Sequence, residues 1–427
     1  RLGWAWLFGS GALSASMLLL EASGIGWSVS TIAGLLLACG AATTLLHHRH
    51  AAEPPLSYAD LLTTHPLFPS VHRQPPSLPA LLTLALIGGL AGLLALQAVA
   101  TPMGDQDTWR IWGLLAKGYL LDGNTQTVVS RYRSLGLDSY PPGWPLQFTW
   151  GYLAWGSLAE RPVRLLLPLW YAAGCTILWG AVRSQAGERA AIMATLLLAT
   201  TPLLLDHATI GNADLPLGVA LLAGAVGLQH WLHGGSRRRL IAGMLAILIA
   251  GGIKVDGLYL GGGMLLLAAA LRLLMHPPPA AQPGRRTSIG AIILLLAIVA
   301  IPIAGSLTQR QLLPSLATLP QIWLWGGPAA LREIAAELLV GGHNSARGLH
   351  GGGFGILWLV AFGGILLGLR RMWHDCSARF LLLSIIGGLA AYTGLRLIHP
   401  ASATSIERYL LHIAPTALLA GMLYWKP

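Results

Sequence analysis

Lys254 is the one lysine between Lys117 and the penultimate residue of a chain that otherwise uses arginine, and Asp256 follows it two positions later in "GGIKVDG". Four other short stretches concentrate polar chemistry in the same way. "PMGDQDTWRIWGLLAKGY" (102–119) puts Asp105 and Asp107 where an apolar run ends, and "LDSYPPGW" holds Tyr140 extended ahead of two prolines. "LLLDHATIGNADLPLG" carries Asp206, His207, Asn212 and Asp214, and "RLIHPASATSIERYLLHIAP" carries Arg396, His399, Glu407, Arg408 and Tyr409. Cations at membrane depth suit a phosphate, and carboxylates beside them suit general-base work on a hydroxyl. No GxSxG, HExxH or P-loop pattern occurs, which argues against a serine hydrolase, a zincin and a P-loop ATPase.

Each stretch also has a structural reading that the sequence leaves open. Asp105 and Asp107 precede a helix with Trp109, Trp112, Ala116 and Tyr119 on one face, so either can cap it; capping explains one carboxylate better than two. Asp214 stands at an N-cap-like position before Pro216. Lys254 can snorkel from a helix end or bind a phosphate that its flanking glycines let approach. Arg408 at a helix N-terminus opposes the helix dipole unless an anion offsets it. Tyr140 fits a cavity wall or a tight turn. The segment 309–353, with Arg310, Arg332, His343, Arg347 and His350, reads equally as a lid or as a solvated connection. His47, His48 and His50 have no cysteine nearby and read as a solvated cluster rather than a metal site.

The elements that position these stretches follow from composition. Hydrophobic residues are 54% of the chain and charged residues 10%, which makes it an all-α, polytopic membrane protein. Apolar runs at 2–22, 24–46, 79–101, 163–182, 190–205, 214–233, 240–255, 257–274, 289–308, 354–369, 380–397 and 409–425 predict about 12 transmembrane helices at ~20 residues per crossing. The first run reads as a retained helix rather than a cleaved signal. The stretch carrying Trp109, Trp112, Ala116 and Tyr119 or Leu120, and residues 145–158, read as two interfacial amphipathic helices in the first large outer loop. If 145–158 does not cross, every basic loop shares one side and the whole net charge of +11 is cytoplasmic. The chemistry-bearing stretches then share the outer face. Residues 1–78 form a helix pair with a Pro- and His-rich cytoplasmic linker, and 79–427 form the main body. Cys39, Cys175 and Cys376 offer neither a disulfide framework nor metal spacing, and no basic block points to nucleic acid.

The series of an acid before "TWRIW", then "YPP", "ADLPL", "K-x-acidic-G" and "ERYLL" resembles the membrane glycosyltransferases of the GT-C superfamily. The nearest branch uses polyprenyl-phosphate sugars and includes the protein mannosyltransferases and the lipid A aminoarabinose transferases. The resemblance runs from about 79 to 413 in order. It implies an inverting glycosyltransferase with a polyprenyl-phosphate-linked sugar as donor and a protein, lipid or glycan as acceptor. Its site would face the periplasm or exterior from the inner (cytoplasmic) membrane. Asp107 matches the first-loop catalytic acid, with Asp105 completing a DxD-like pair. Lys254, Arg408 and Tyr409 match donor-phosphate positions, while Asp214, Asp256, Tyr140 and His207 fall in acceptor or orienting positions. "KVDG" departs from the family's usual KNEG, with Val255 for Asn and Asp256 for Glu. A divalent cation, Mg or Mn, is an open option because Asp105, Asp107 and Asp214 are hard oxygen ligands. The pair before residue 47 lies outside the family's plan and either docks a membrane-protein partner through residues 1–46 or anchors the chain.

Other classes remain alternatives. A lipid-linked glycan ligase or polymerase would lean on outer Arg and His instead of Asp107. A non-catalytic subunit would use the first helix pair to dock, and a transporter would place its charges at the bilayer midplane.

Overall fold

The computed structural model describes residues 1–50, 76–103, 105–275, 353–398 and 406–424, with isolated helical positions between 328 and 338. The run 289–308, most of the 309–353 loop with His343, Arg347 and His350, His399, and the side chain of Arg396 lie outside the described residues. So does the linker from 51 to 75, with the side chains of His47, His48 and His50 before it.

Every regular element among the described residues is helical. A hairpin, α1 (Leu2–Ala22) and α2 (Val29–His50), precedes α3 (Leu78–Ala100). After a π-helical turn at Thr108–Trp112 come α4 (Gly113–Asp122), α5 (Gln126–Arg131), α6 (Gly143–Trp155) and α7 (Glu160–Val163). The bundle continues with α8 (Leu166–Ala186), α9 (Glu188–Ala199), α10 (Pro202–Ile210), α11 (Asp214–Gly234), α12 (Arg237–Ile253) and α13 (Val255–Met275). It closes with α14 (Leu357–His374), α15 (Cys376–Ile398) and α16 (Ile406–Tyr424).

Six helices among the described residues are long and apolar enough to cross a membrane, and the bent pair α9–α10 makes a seventh. That is the make-up of a multi-pass membrane protein. The run read as one span over 190–205 is two helices, bent by 57°. Pro202 cannot donate a backbone hydrogen bond, so the helix stops at Ala199 and restarts. The Tyr171 hydroxyl donates to the carbonyl of Ala199 at 2.9 Å and meets part of the need that the break creates.

Apolar on all sides, α11 is the central helix, and α8, α12, α13, α15 and α16 pack around it. Small residues set the close crossings. A Cβ on Gly227 would lie 2.5 Å from the Gly243 Cα, and one on Gly364 would lie 2.3 Å from the Gly421 carbonyl. α1 packs on α8, where Gly3 faces the Ala173 carbonyl. Its last turn joins the loop region through Glu21, which accepts the Thr125 amide at 2.8 Å.

The two segments read as interfacial helices are packed more deeply than amphipathic spacing suggested. Trp112, Ala116 and Tyr119 are buried while Trp109 is half exposed. In α6, Trp144, Leu146, Gln147 and Phe148 are buried, with the Trp170 indole donating to Gln147 at 3.1 Å. These side chains pack against the helix bundle, because aromatic faces bury more apolar area there than at a surface.

Candidate functional site

Asp214 is fully buried at the first turn of α11, and its side chain caps nothing. Its oxygens instead accept from three side chains. Lys254 donates to Oδ1 at 2.7 Å, and His412 Nε2 lies 2.9 Å from the same oxygen. Arg408 approaches Oδ2 with Nε at 2.9 Å and Nη2 at 2.8 Å. The remaining arm of Arg408, Nη1, reaches Asp107 Oδ2 at 2.6 Å. Lys254 also sits 3.2 Å from Asp256 and 5.6 Å above the Tyr409 ring. His207 Nδ1 lies 3.8 Å from Asp214.

Thus Asp107, Asp214, Lys254, Asp256, Arg408, Tyr409 and His207, drawn from positions 107 to 409, meet at one end of the bundle. Five ionisable groups form the chain Asp107–Arg408–Asp214–Lys254–Asp256, three carboxylates to two cations. Exposure rises along it, from Asp214 at 0% through Lys254 and Arg408 at 14% and 15% to Asp107 at 39%. The innermost charge is compensated by hydrogen bonds, as a buried charge requires, while the outermost carboxylate faces solvent. Burial disfavours the Lys254 ammonium, but Asp214 and Asp256 outweigh it and hold its proton more firmly than in an ordinary lysine.

Two expected members lie elsewhere. Asp105 accepts the Thr108 amide at 3.1 Å, as an N-capping side chain does three residues ahead. Tyr140 packs edge-to-face on Trp112 with centroids 5.2 Å apart, forming the wall behind the π turn. The glycines around Lys254 also have an internal use. A Cβ on Gly257 would lie 2.2 Å from the Ala250 carbonyl, and one on Gly251 would meet Leu258 at 2.4 Å. Gly251 and Gly257 let α12 and α13 close on each other, while Gly252 meets nothing within 4 Å.

A second set of contacts fixes the turn before Asp214. Three successive carbonyls of "TIGN" accept from three different segments: Thr209 from Arg164 Nε at 2.9 Å, Ile210 from the Thr108 hydroxyl at 2.6 Å, and Gly211 from the Trp144 indole at 3.1 Å. Gly211 has φ +94° and a Cβ there would lie 2.2 Å from Thr108 Cγ2. Arg164, 3% exposed, also donates to the Thr101 carbonyl at 2.6 Å. It therefore grips the ends of α3 and α10, where a cation complements both helix dipoles.

Sequence reasoning passed over His412, Tyr392, Arg164, Thr108 and Trp144. For His412 a signal existed: it lies four residues after Arg408 and so shares its helix face. Arg164 stood out as a charge near the start of an apolar run. Nothing local marked Tyr392.

Of the three carboxylates that could supply oxygen to a divalent cation, Asp107 is paired with Arg408 through Oδ2. Asp214's oxygens hold Lys254, Arg408 and His412, Asp105 is turned to its own helix, and among the described residues no group of three His, Cys, Asp or Glu is placed to share an ion. Compared with protein families, curated proteins and solved structures, the chain matches none.

Proposed function

We propose that the protein is an inverting glycosyltransferase that moves a sugar from a polyprenyl-phosphate donor to an acceptor hydroxyl. The observation that carries the reading is Arg408 standing between the fixed carboxylate of Asp214 and the exposed carboxylate of Asp107. A sugar phosphate arriving at the open side competes with Asp107 for Nη1 of Arg408. When the phosphate takes that arm, Asp107 loses its ion-pair partner and becomes free to accept a proton.

In the reaction, the acceptor hydroxyl attacks the anomeric carbon, its proton passes to Asp107, and the bond from that carbon to the phosphate oxygen breaks. The polyprenyl phosphate leaves with the bonding electron pair. Arg408 and Lys254 neutralise that charge from positions fixed in advance by Asp214, the arrangement that stabilises developing charge most. The Tyr409 face helps keep the Lys254 ammonium in place, and Asp256 restrains its second side. His207 and Tyr140 belong to the surrounding wall.

The proposal extends to topology. α2, α12, α14 and α16 join the seven candidate spans. The charge cluster faces the outside of a cytoplasmic membrane, as the bias of basic loops to the other side supports. Residues 1–46 offer α2 to a membrane partner or to lipid, with Leu37 and Leu45 exposed.

The test incubates purified protein in nanodiscs with radiolabelled polyprenyl-phosphate sugars and membrane extract, comparing wild type with Asp107→Asn. One donor consumed by wild type and spared by the variant supports the transferase. Equal consumption by both removes Asp107 from the chemistry and favours a ligase; no consumption of any donor refutes the reading.

A further inference from the structure

Behind the charge cluster lies a polar chain that the reaction does not touch directly. Tyr392 Oη is 2.6 Å from His412 Nδ1, and His412 Nε2 is 2.9 Å from Asp214 Oδ1. His412 is fully buried and Tyr392 is 6% exposed. Tyr392 also stacks on Tyr409, with centroids 4.9 Å apart and planes at 18°, and Tyr409 carries Lys254 on its face. A hydroxyl, an imidazole and a carboxylate in line match the order of a nucleophilic triad. The hydroxyl here is closed off from substrate by Tyr409 and the bundle, so nucleophilic use is unsuited to the site.

The bonds assign another task. Asp214 Oδ1 must serve Lys254 and Oδ2 must serve Arg408, which fixes the carboxylate plane. Arg408 alone, with two nitrogens on one oxygen, leaves the carboxyl free to rotate so that both of its oxygens turn to the guanidinium. Such a rotation takes Oδ1 away from Lys254. A donor from His412 to Oδ1 opposes it, and it comes from the same helix as Arg408, one turn further in. For Nε2 to donate from a neutral ring, Nδ1 must accept, and the Tyr392 hydroxyl supplies that proton. The tautomer follows from this network.

We infer that Tyr392 and His412 are positioning residues that lock the orientation of Asp214 and thereby hold Lys254 and Arg408 as a matched pair of cations for one phosphate group. The inference rests on the transferase reading and adds to it the residues that set the spacing of its phosphate site.

The experiment measures binding of farnesyl phosphate, with neutral farnesol as control, to the full chain in nanodiscs for wild type, His412→Gln, His412→Leu and Tyr392→Phe. Glutamine keeps an N–H for Asp214; leucine removes it. Phenylalanine keeps the stack on Tyr409 and removes only the donor to Nδ1. The expected result is that His412→Leu weakens farnesyl phosphate about tenfold or more and Tyr392→Phe about threefold or more, while His412→Gln stays within about threefold of wild type and farnesol is unmoved. Should His412→Leu fail to fold, Tyr392→Phe decides.

If wild type and the deciding variant bind farnesyl phosphate equally, the lock is overturned while the phosphate site stands. The lock is also overturned if His412→Gln binds as poorly as His412→Leu at unchanged melting temperature, since the ring then acts by packing alone. If wild type does not prefer farnesyl phosphate to farnesol, the phosphate site itself falls, and the lock with it.

Discussion

Asp105 and Asp107 are two residues apart and end in different company. Asp105 turns back to the Thr108 amide, and Asp107 reaches across the bundle to Arg408. Their substitutions should therefore separate. Asp107→Asn is expected to lower transfer by about 10² to 10⁴-fold, the usual worth of a general base. Asp105→Asn keeps an oxygen that can cap and should retain most activity, with a loss of stability near or below about 1 kcal/mol. Single-turnover rates and melting curves on both variants check this, and a reversed order would exchange the two roles. Lys254 gives a prediction in pH. Its folded value lies above the ordinary 10.5, so its contribution to stability is fully present below that value and is lost only as pH rises through the higher one. The melting difference between wild type and Lys254→Met should thus stay constant from about pH 6 to 9. A difference that shrinks by pH 9 would show an ammonium giving up its proton early.

Among the elements, the turn from Thr209 to Ala213 has the most work to do for its length. It ends α10, begins α11, and places Asp214 while holding the loop that carries Asp107. Gly211→Ala puts a side chain both at positive φ and into Thr108, and should cost at least about 1 to 3 kcal/mol of stability from the backbone alone. A differential scan with no fall in melting temperature would show that the turn has another conformation to adopt. Arg164→Met keeps length and removes the bonds to Thr209 and Thr101, leaving the buried Thr209 carbonyl unmet at about 1 to 3 kcal/mol. Its distinguishing sign is that transfer falls although Arg164 touches neither Asp107 nor Arg408. A variant that loses stability but keeps its full rate when folded would make the clamp purely structural.

Over the whole molecule, charge distribution and helix packing give separate constraints. On the topology proposed above, basic loops pull one end of the bundle to the cytoplasm and the cluster around Asp214 lies at the other. In a Cys39→Ser background, a cysteine at exposed Ser134 should react with an impermeant reagent from outside intact cells, and one at exposed Arg238 should react only after permeabilisation. The opposite pattern would turn the site toward the cytoplasm and rule out an outer-face donor site.

Sequence by itself determined the helical class, the membrane, and most of the cluster. These rest on local quantities: run length against bilayer thickness, the scarcity of charge in apolar segments, and the polar residues left where the runs end. Asp107, Asp214, Lys254 and Arg408 stood out because carboxylates and cations are costly there unless they have partners. The partners themselves came from tertiary structure, since contacts between residues 107 and 408, or 214 and 412, leave no periodic trace in the chain. The same holds for the difference between Asp105 and Asp107, which depends on one turn of helix and the reach of Arg408. The break in α9–α10 was legible at Pro202 but was hidden by the apolar run around it. Tyr392 and Arg164 looked like ordinary helix residues, and only packing made one the support of His412 and the other the clamp on two helix ends.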